Sequence, residues 1–355
     1  MIKLIDEDLS FIINHYNIND IKNVDKIELI RCSDKNNILR YFNNVKELDI
    51  KYCDNIINIP ENLDKLNKIY LLQSNIDYIP NNLNNLKELV LNNCNKITNI
   101  SNKLINLRKI EIHNCKNIKY LEKFNNLKTL ILSCDYIEEI NEINNLKELK
   151  LTYSNIKNLN NFINLEILEL NNCYNINNLP NTLINLKYLY LNNCENIKEI
   201  PITYKNLIEL KIYKCNNLNN LNDYLYNLNS LELINTNIKS LPNNLSNLKI
   251  LKLENCNELK EIPNLINLND LIIYYCDKIK EIPNTLINLY NIDLINCPNI
   301  NNIPDTLYKL QTLKLFNCEN IKELPFNLYF NNTELIISSE PELIIPNNIK
   351  NKIIY

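Results

Sequence analysis

Twelve cysteines and two histidines are the side chains in this 355-residue chain best suited to bind a metal, form bridges or act as nucleophiles. Their spacing argues against each use. Eleven of the thiols (Cys32, Cys53, Cys94, Cys115, Cys173, Cys194, Cys215, Cys256, Cys276, Cys297 and Cys318) recur at one position of a period of 19 to 21 residues, and no C-x-x-C pair occurs. If each period supplies one strand, neighbouring thiols lie about 4.8 Å apart, and four in succession form a line about 15 Å long that cannot close around a tetrahedral zinc. Ser74, Asp135, Ser154 and Thr236 take the slot in the periods without a cysteine there. The slot therefore requires a small side chain that bonds a loop backbone, and buried, reduced thiols are expected. Cys134 alone breaks register, one position early and on the expected outer side of its strand, where His113 of the preceding period would lie beside it. A cysteine–histidine nucleophile can be drawn there, but no third orienting residue or oxyanion donor is identifiable, and the chain has no glycine for a phosphate-type loop. The reading is no enzyme, no cofactor and no metal.

The elements that place these thiols come from the same period. Leucine-like residues stand at Val24, Val45, Leu66, Leu86, Leu107, Leu127, Leu146, Leu165, Leu186, Leu207, Leu228, Leu248, Leu268, Leu289 and Leu310, giving fifteen clear copies, with a decayed sixteenth through Leu335 and Ile337. Within a copy, Leu186-Lys-Tyr188-Leu189-Tyr190-Leu191 alternates like a short strand with one buried face, here Leu189 and Leu191. A five-residue strand cannot bury that face alone, so successive strands must stack in parallel, with the chain returning behind them. The return leg carries Ile197, Ile200 and Pro201 in this copy. Nine of the twelve prolines share the last of these slots (Pro60, Pro80, Pro180, Pro201, Pro242, Pro263, Pro283, Pro304 and Pro325), which favours a tight extended or short helical return over a long helix. Three positions on, Leu183, Leu245, Leu286 and Leu307 pin the return to the core.

The pattern L-x-x-L-x-L-x-x-C-x-x-I-x-x-I-P, as in Leu186, Leu189, Leu191, Cys194, Ile197, Ile200 and Pro201, resembles the leucine-rich repeat family over roughly residues 24–345. The resemblance implies an α/β class solenoid: a right-handed, curved stack with a parallel sheet on the concave face and short extended or 3-10 convex returns. Residues 1–23, with Leu9, Phe11, Ile12, Ile13 and Tyr16, would form an N-terminal cap. Residues 346–355 would be a C-terminal tail, its apolar Ile353, Ile354 and Tyr355 joining Leu343, Ile344 and Ile345 either to cover the last coil or to dock a second copy. The asparagine- and isoleucine-rich composition, without glycine, tryptophan or alanine, further resembles repeat proteins of AT-rich giant viruses of amoebae, or of amoebae themselves.

Asparagine has structural work in such a chain. Turns with positive φ must use it in place of glycine. It also precedes the first leucine of many copies (Asn85, Asn106, Asn126, Asn145, Asn164, Asn206 and Asn227 among them), where its amide can satisfy main-chain groups at the bend into the strand. The net charge of −3, with both signs interspersed, builds no single-sign field, so neither nucleic acid nor an anionic membrane is the expected partner. With no apolar run of signal-peptide or membrane-span length, a cytoplasmic location is expected, the host cytoplasm if viral.

The resemblance also implies that binding falls on the concave sheet. There, Lys150 with Glu169, and Lys211 with Glu232 and Lys252, read as charge ladders. The candidate binding residues are the aromatic and apolar ones: Tyr188, Tyr190 and Tyr213 from two adjacent copies, and Ile272, Tyr274, Tyr275, Ile295 and Phe316 from three others. The functional expectation is a protein–protein interaction scaffold. The alternative is a structural or virion-packaged protein that self-associates through its terminal coils.

Overall fold

The computed structural model describes residues 1–10, 21–35, 37–329, 333–338, 343–345 and 353–354. Phe11, Ile12, Ile13, Tyr16 and Tyr355 lie outside them. The architecture is the expected repeat solenoid, a parallel stack of strand and turn. Among the described residues, α-helix touches only Ser10 and Ile21, and single 3-10 turns occur at Ile38–Tyr41 and Phe326–Tyr329. The α/β label thus shrinks to almost pure β, because copies this short leave no room for a convex helix after the Ile-x-x-Ile-Pro leg.

The chain divides into two compact units, residues 1–165 with 170–176, and residues 166–169 with 177–355. In the first, Ile2–Ile5 pairs in parallel with Lys26–Ile30, and the ladder continues through Glu47–Lys51, Lys68–Leu72, Glu88–Asn92, Lys109–His113, Thr129–Ser133 and Glu148–Thr152. A second, two-residue pairing, Tyr120–Leu121 with Glu139–Ile140, lies in the return legs. In the second unit the ladder runs from Tyr188–Asn192 through Glu209–Tyr213, Ser230–Ile234, Ile250–Glu254, Asp270–Tyr274, Asn291–Ile295 and Thr312–Phe316 to Glu334–Ser338. Ile353 and Ile354 then pair in parallel with Leu335 and Ile336.

Nearly every strand repeats one burial pattern, with second and fourth residues inside and first, third and fifth outside. The inward pairs, such as Leu189 with Leu191 and Leu294 with Ile292, are wholly buried. The expected pins Leu183, Leu245, Leu286 and Leu307 are buried too, and so is Tyr204 at the same position, whose hydroxyl donates to the Pro180 carbonyl at 3.0 Å. The slot prolines open turns: the amides of Leu183, Tyr204, Leu286 and Leu307 donate to the carbonyls of Pro180, Pro201, Pro283 and Pro304.

Asparagine is a fastener between coils. Asn85, Asn106, Asn126, Asn145, Asn206 and Asn227 each donate their side-chain amide to a main-chain carbonyl one coil earlier, at 2.6–2.8 Å. A second file behind the cysteine slot does the same (Asn75, Asn117, Asn155, Asn217, Asn299 and Asn320), a job that the sequence pattern did not reveal.

The residue just after most strands of the long ladder takes positive φ, and its amide donates to the next strand: Asn93 to His113, Asn193 to Tyr213, Tyr275 to Ile295. Asparagine fills many of these corners, as expected, yet Arg31, Tyr52, Gln73, Tyr153, Lys214 and Tyr275 occupy others at a steric cost. Cys134 stands at the equivalent step and is not among the positive-φ residues. Its copy omits the corner, so its side chain turns inward and is buried, while Asp135 is exposed. Cys134 therefore occupies the slot assigned above to Asp135. It is not on the outer side of the strand, and His113 lines up with Ser133.

Candidate binding face and thiol ladder

The twelve cysteines are all buried and unbridged. Slot thiols bond in two directions. Cys53, Cys94 and Cys115 donate to the carbonyls two residues back, at 3.2, 3.5 and 3.4 Å. The sulfurs of Cys53, Cys115 and Cys215 accept the amides of Cys32, Cys94 and Cys194 from the preceding coil, at 3.2–3.4 Å. Hydroxyls replace thiols where the following turn is one residue shorter: Ser74, Ser154 and Thr236 are followed by a buried isoleucine two residues on, whereas the cysteine copies after Cys32 place a buried isoleucine or leucine three on. The Ser154 hydroxyl accepts the Ile156 amide at 3.3 Å, a bond suited to oxygen's shorter reach. Cysteine copies instead close through their own carbonyl, as in Ile197 to Cys194. Burial pushes the Cys134 thiol up, away from the thiolate needed for attack. Among the described residues, no three metal-ligating side chains converge to hold an ion.

Most of the candidate binding residues drawn from the sequence are outer side chains of the sheet. In the second unit these form three columns. The outermost runs Asn192, Tyr213, Ile234, Glu254, Tyr274, Ile295, Phe316 and Ser338, and the middle one runs Tyr190, Lys211, Glu232, Lys252, Ile272, Asp293, Lys314 and Ile336. Tyr274, Ile295 and Phe316 are thus direct neighbours on three strands, with Ile272 beside Tyr274 on the same face. Tyr213 lies next to Ile234, an apolar neighbour absent from the candidates drawn from the sequence. Tyr188 and Tyr190 share one strand. Tyr275 departs from the group: at φ 53 it sits on the corner after its strand, exposed, and does not join the face.

The tyrosines are held in place. Tyr274 donates its hydroxyl to Asp293 Oδ2 at 2.8 Å. Burial, then the Asp293 bond, pushes the Tyr274 phenol up, and burial with the Glu232 bond does the same to Tyr213. Tyr190 is pushed up to about 12 by burial and then by Glu209, and Lys211 stands 5.3 Å from its ring centre. Glu232 pairs with Lys252 at 2.7 Å and with Lys211 at 4.0 Å, the expected charge ladder.

A further apolar row precedes the strands by four residues and was not anticipated. Ile266, Ile287 and Tyr308, on three successive coils, are 53, 49 and 70% exposed.

No family model matches the sequence, and no curated protein matches it. The fold does have solved likenesses. TLR13 in complex with ssRNA13 superposes at a TM-score of 0.65 with 17% identity, over 92% of this chain and 56% of that one, so the chain spans little more than half of TLR13. The functional domain of InlJ from Listeria monocytogenes, described as including a cysteine ladder, gives 0.59 with 17% identity, over 84% of this chain and 68% of that one. A leucine-rich repeat protein of Leptospira interrogans gives 0.50 with 18% identity, over 90% and 95%. At these identities the likeness establishes the fold alone: a leucine-rich repeat solenoid, in which each coil packs on its neighbours. Among the described residues no helix is long and apolar enough to cross a membrane.

Proposed function

We propose that the chain is a non-catalytic scaffold that captures a protein partner on the outer sheet face of its second unit. The observation that carries this is the contiguous patch Tyr274, Ile295, Phe316 and Ile272, with Tyr213 and Ile234 further along the same column: half-buried aromatic and aliphatic side chains, two of them immobilised by carboxylates before any partner arrives. Rigid aromatic anchors lose little conformational entropy on binding, which is why they dominate protein interfaces. The interspersed carboxylates oppose a polyanion, so protein is favoured over nucleic acid. The AT-rich composition makes an amoebal cytoplasm the proposed setting.

A photo-crosslinking residue at position 295 is expected to trap a discrete protein from amoebal lysate, whereas the same residue at position 92, on the first unit's face, is not. With that protein purified, Tyr274→Ala with Phe316→Ala should weaken binding by about 2 kcal/mol or more, roughly 30-fold. Equal trapping at both positions, or unchanged affinity in a folded double variant, refutes the reading. A second reading, self-association, is favoured by the row Ile266, Ile287 and Tyr308. It predicts a concentration-dependent mass in light scattering that Ile287→Lys abolishes.

A further inference from the structure

The second unit's face contains a shallow depression of about 460 Å³ that crosses its last five full strands. Ile272 and Ile336 supply apolar surface, and Asp270, Asp293 and Glu334 supply three carboxylates against the single ammonium of Lys314. Asp293 is in an unusual state. Its Oδ2 accepts from Tyr274, but its buried Oδ1 receives no hydrogen bond from any described residue. Lys314 is its partner in register, yet no ion pair joins them among the described residues, although Glu232 and Lys252, neighbours in the same column, close to 2.7 Å. The depression is thus lined by a carboxylate one of whose oxygens lacks a donor, with an excess of negative charge and aliphatic surface alongside.

We propose that this depression receives an arginine side chain of the partner, a guanidinium on an apolar stem, and that this contact fixes the partner's register on the face. It rests on the reading of the face as an interface. The guanidinium brings parallel N–H donors in a fixed fork that matches a carboxylate, and it is weakly hydrated, so it enters a half-buried site at low desolvation cost. Its methylenes lie along Ile272 and Ile336, as long cationic side chains do on apolar surface. An unmet buried acceptor discriminates strongly: a neutral aliphatic group leaves Oδ1 without a donor, and an anion meets three carboxylates.

The test uses the full chain, isoleucine methyl labelling and n-butylguanidinium as probe, so it does not depend on finding the partner. The Ile272 and Ile336 methyl signals are expected to shift saturably. Asp293→Asn, which keeps an acceptor for Tyr274 and removes the charge, should weaken the probe about tenfold or more. Lys314→Gln should tighten it by relieving like-charge repulsion, and Glu111→Gln, on the first unit's face, should leave it unchanged. The proposal is overturned if n-butylguanidinium moves neither methyl, if Asp293→Asn binds it as well as the native chain, or if n-butyrate is the probe that saturates. Crosslinking at position 295 tests the face separately from each of these outcomes, so the arginine site can fail while the interface stands.

Discussion

The two units share one core and differ on their outer faces. In the first, the leading column of the sheet alternates Lys26, Glu47, Lys68, Glu88 and Lys109, and the middle column starts with Glu28 and Asp49. Lys26 meets Glu47 at 2.9 Å, Lys51 meets Glu28 at 2.7 Å, Lys3 meets Glu28 at 3.1 Å and Lys68 meets Glu88 at 3.2 Å. Its charges are largely matched to one another. In the second unit the outer column turns aromatic and aliphatic, and one carboxylate oxygen is left without a donor. A stack of strands needs only its inward residues to cohere, so the outward ones are free for self-pairing in one region and for a ligand in another.

The comparison can be broken first at the core. Leu71→Ala in the first unit and Leu294→Ala in the second remove equivalent buried side chains, and each should cost about 2–5 kcal/mol in chemical denaturation. A markedly lower cost in one unit would show that the two cores are not equivalent and that the faces are not the sole difference.

Acid should separate the faces next. Glu28 is held below the usual carboxylate range by Lys51 and Lys3, and Glu111, despite opposing burial, by Lys109 and His113. A carboxylate whose folded pKa is depressed contributes stability that is present above its unfolded value, near 4.3, and lost as pH falls through the folded one. Glu232 of the second unit is lowered likewise, by Lys252 and Tyr213 against burial, so hydrogen exchange should show the first unit's strands and those flanking Glu232 loosening below about pH 4.5, with a smaller change around Tyr274, Ile295 and Phe316. Tyrosine supplies the opposite limb. Raised phenol values mean the folded state keeps its protons longer, so the contribution of Tyr190 is complete below about pH 10 and fades toward its folded value of about 12. Uniform loosening across both units in acid would sink this contrast.

The smallest expected effect concerns corners that both units share. Tyr153 at φ 51 is exposed and carries the steric cost of the left-handed region, which asparagine tolerates better. Tyr153→Asn should stabilise the chain by about 0.5–1 kcal/mol. Loss of stability would mean that the ring makes a contact worth more than the backbone relief.

Much of this was legible in the chain. Leu189 with Leu191 announced a strand, Pro201 a turned return leg, and Asn106 a side chain that would satisfy main-chain groups at the bend, though only the structure shows that the carbonyl it meets belongs to the preceding coil. The cysteine slot was read as small, buried and backbone-bonding, which it is. The errors came from counting a fixed offset within each copy and from not seeing where the backbone turns after the strand. Cys134 looked outward because a residue count puts it there, whereas the copy has dropped its corner residue and the thiol takes the slot. Tyr275 looked like a face residue, but its backbone has already turned. The links from Tyr274 to Asp293 and from Tyr213 to Glu232 join residues 19 apart, and no pattern within one copy could indicate them.

The order of residues alone dictates the repeat, its inward leucines and isoleucines, and the parallel stacking they require, because burying a period-two face admits few alternatives. Which outward side chains meet is settled only once the coils are stacked. Neighbours across the ladder are set by one-residue differences in coil length, and whether a carboxylate finds an ammonium, a phenol or no donor depends on geometry of a few ångströms that no repeat pattern specifies.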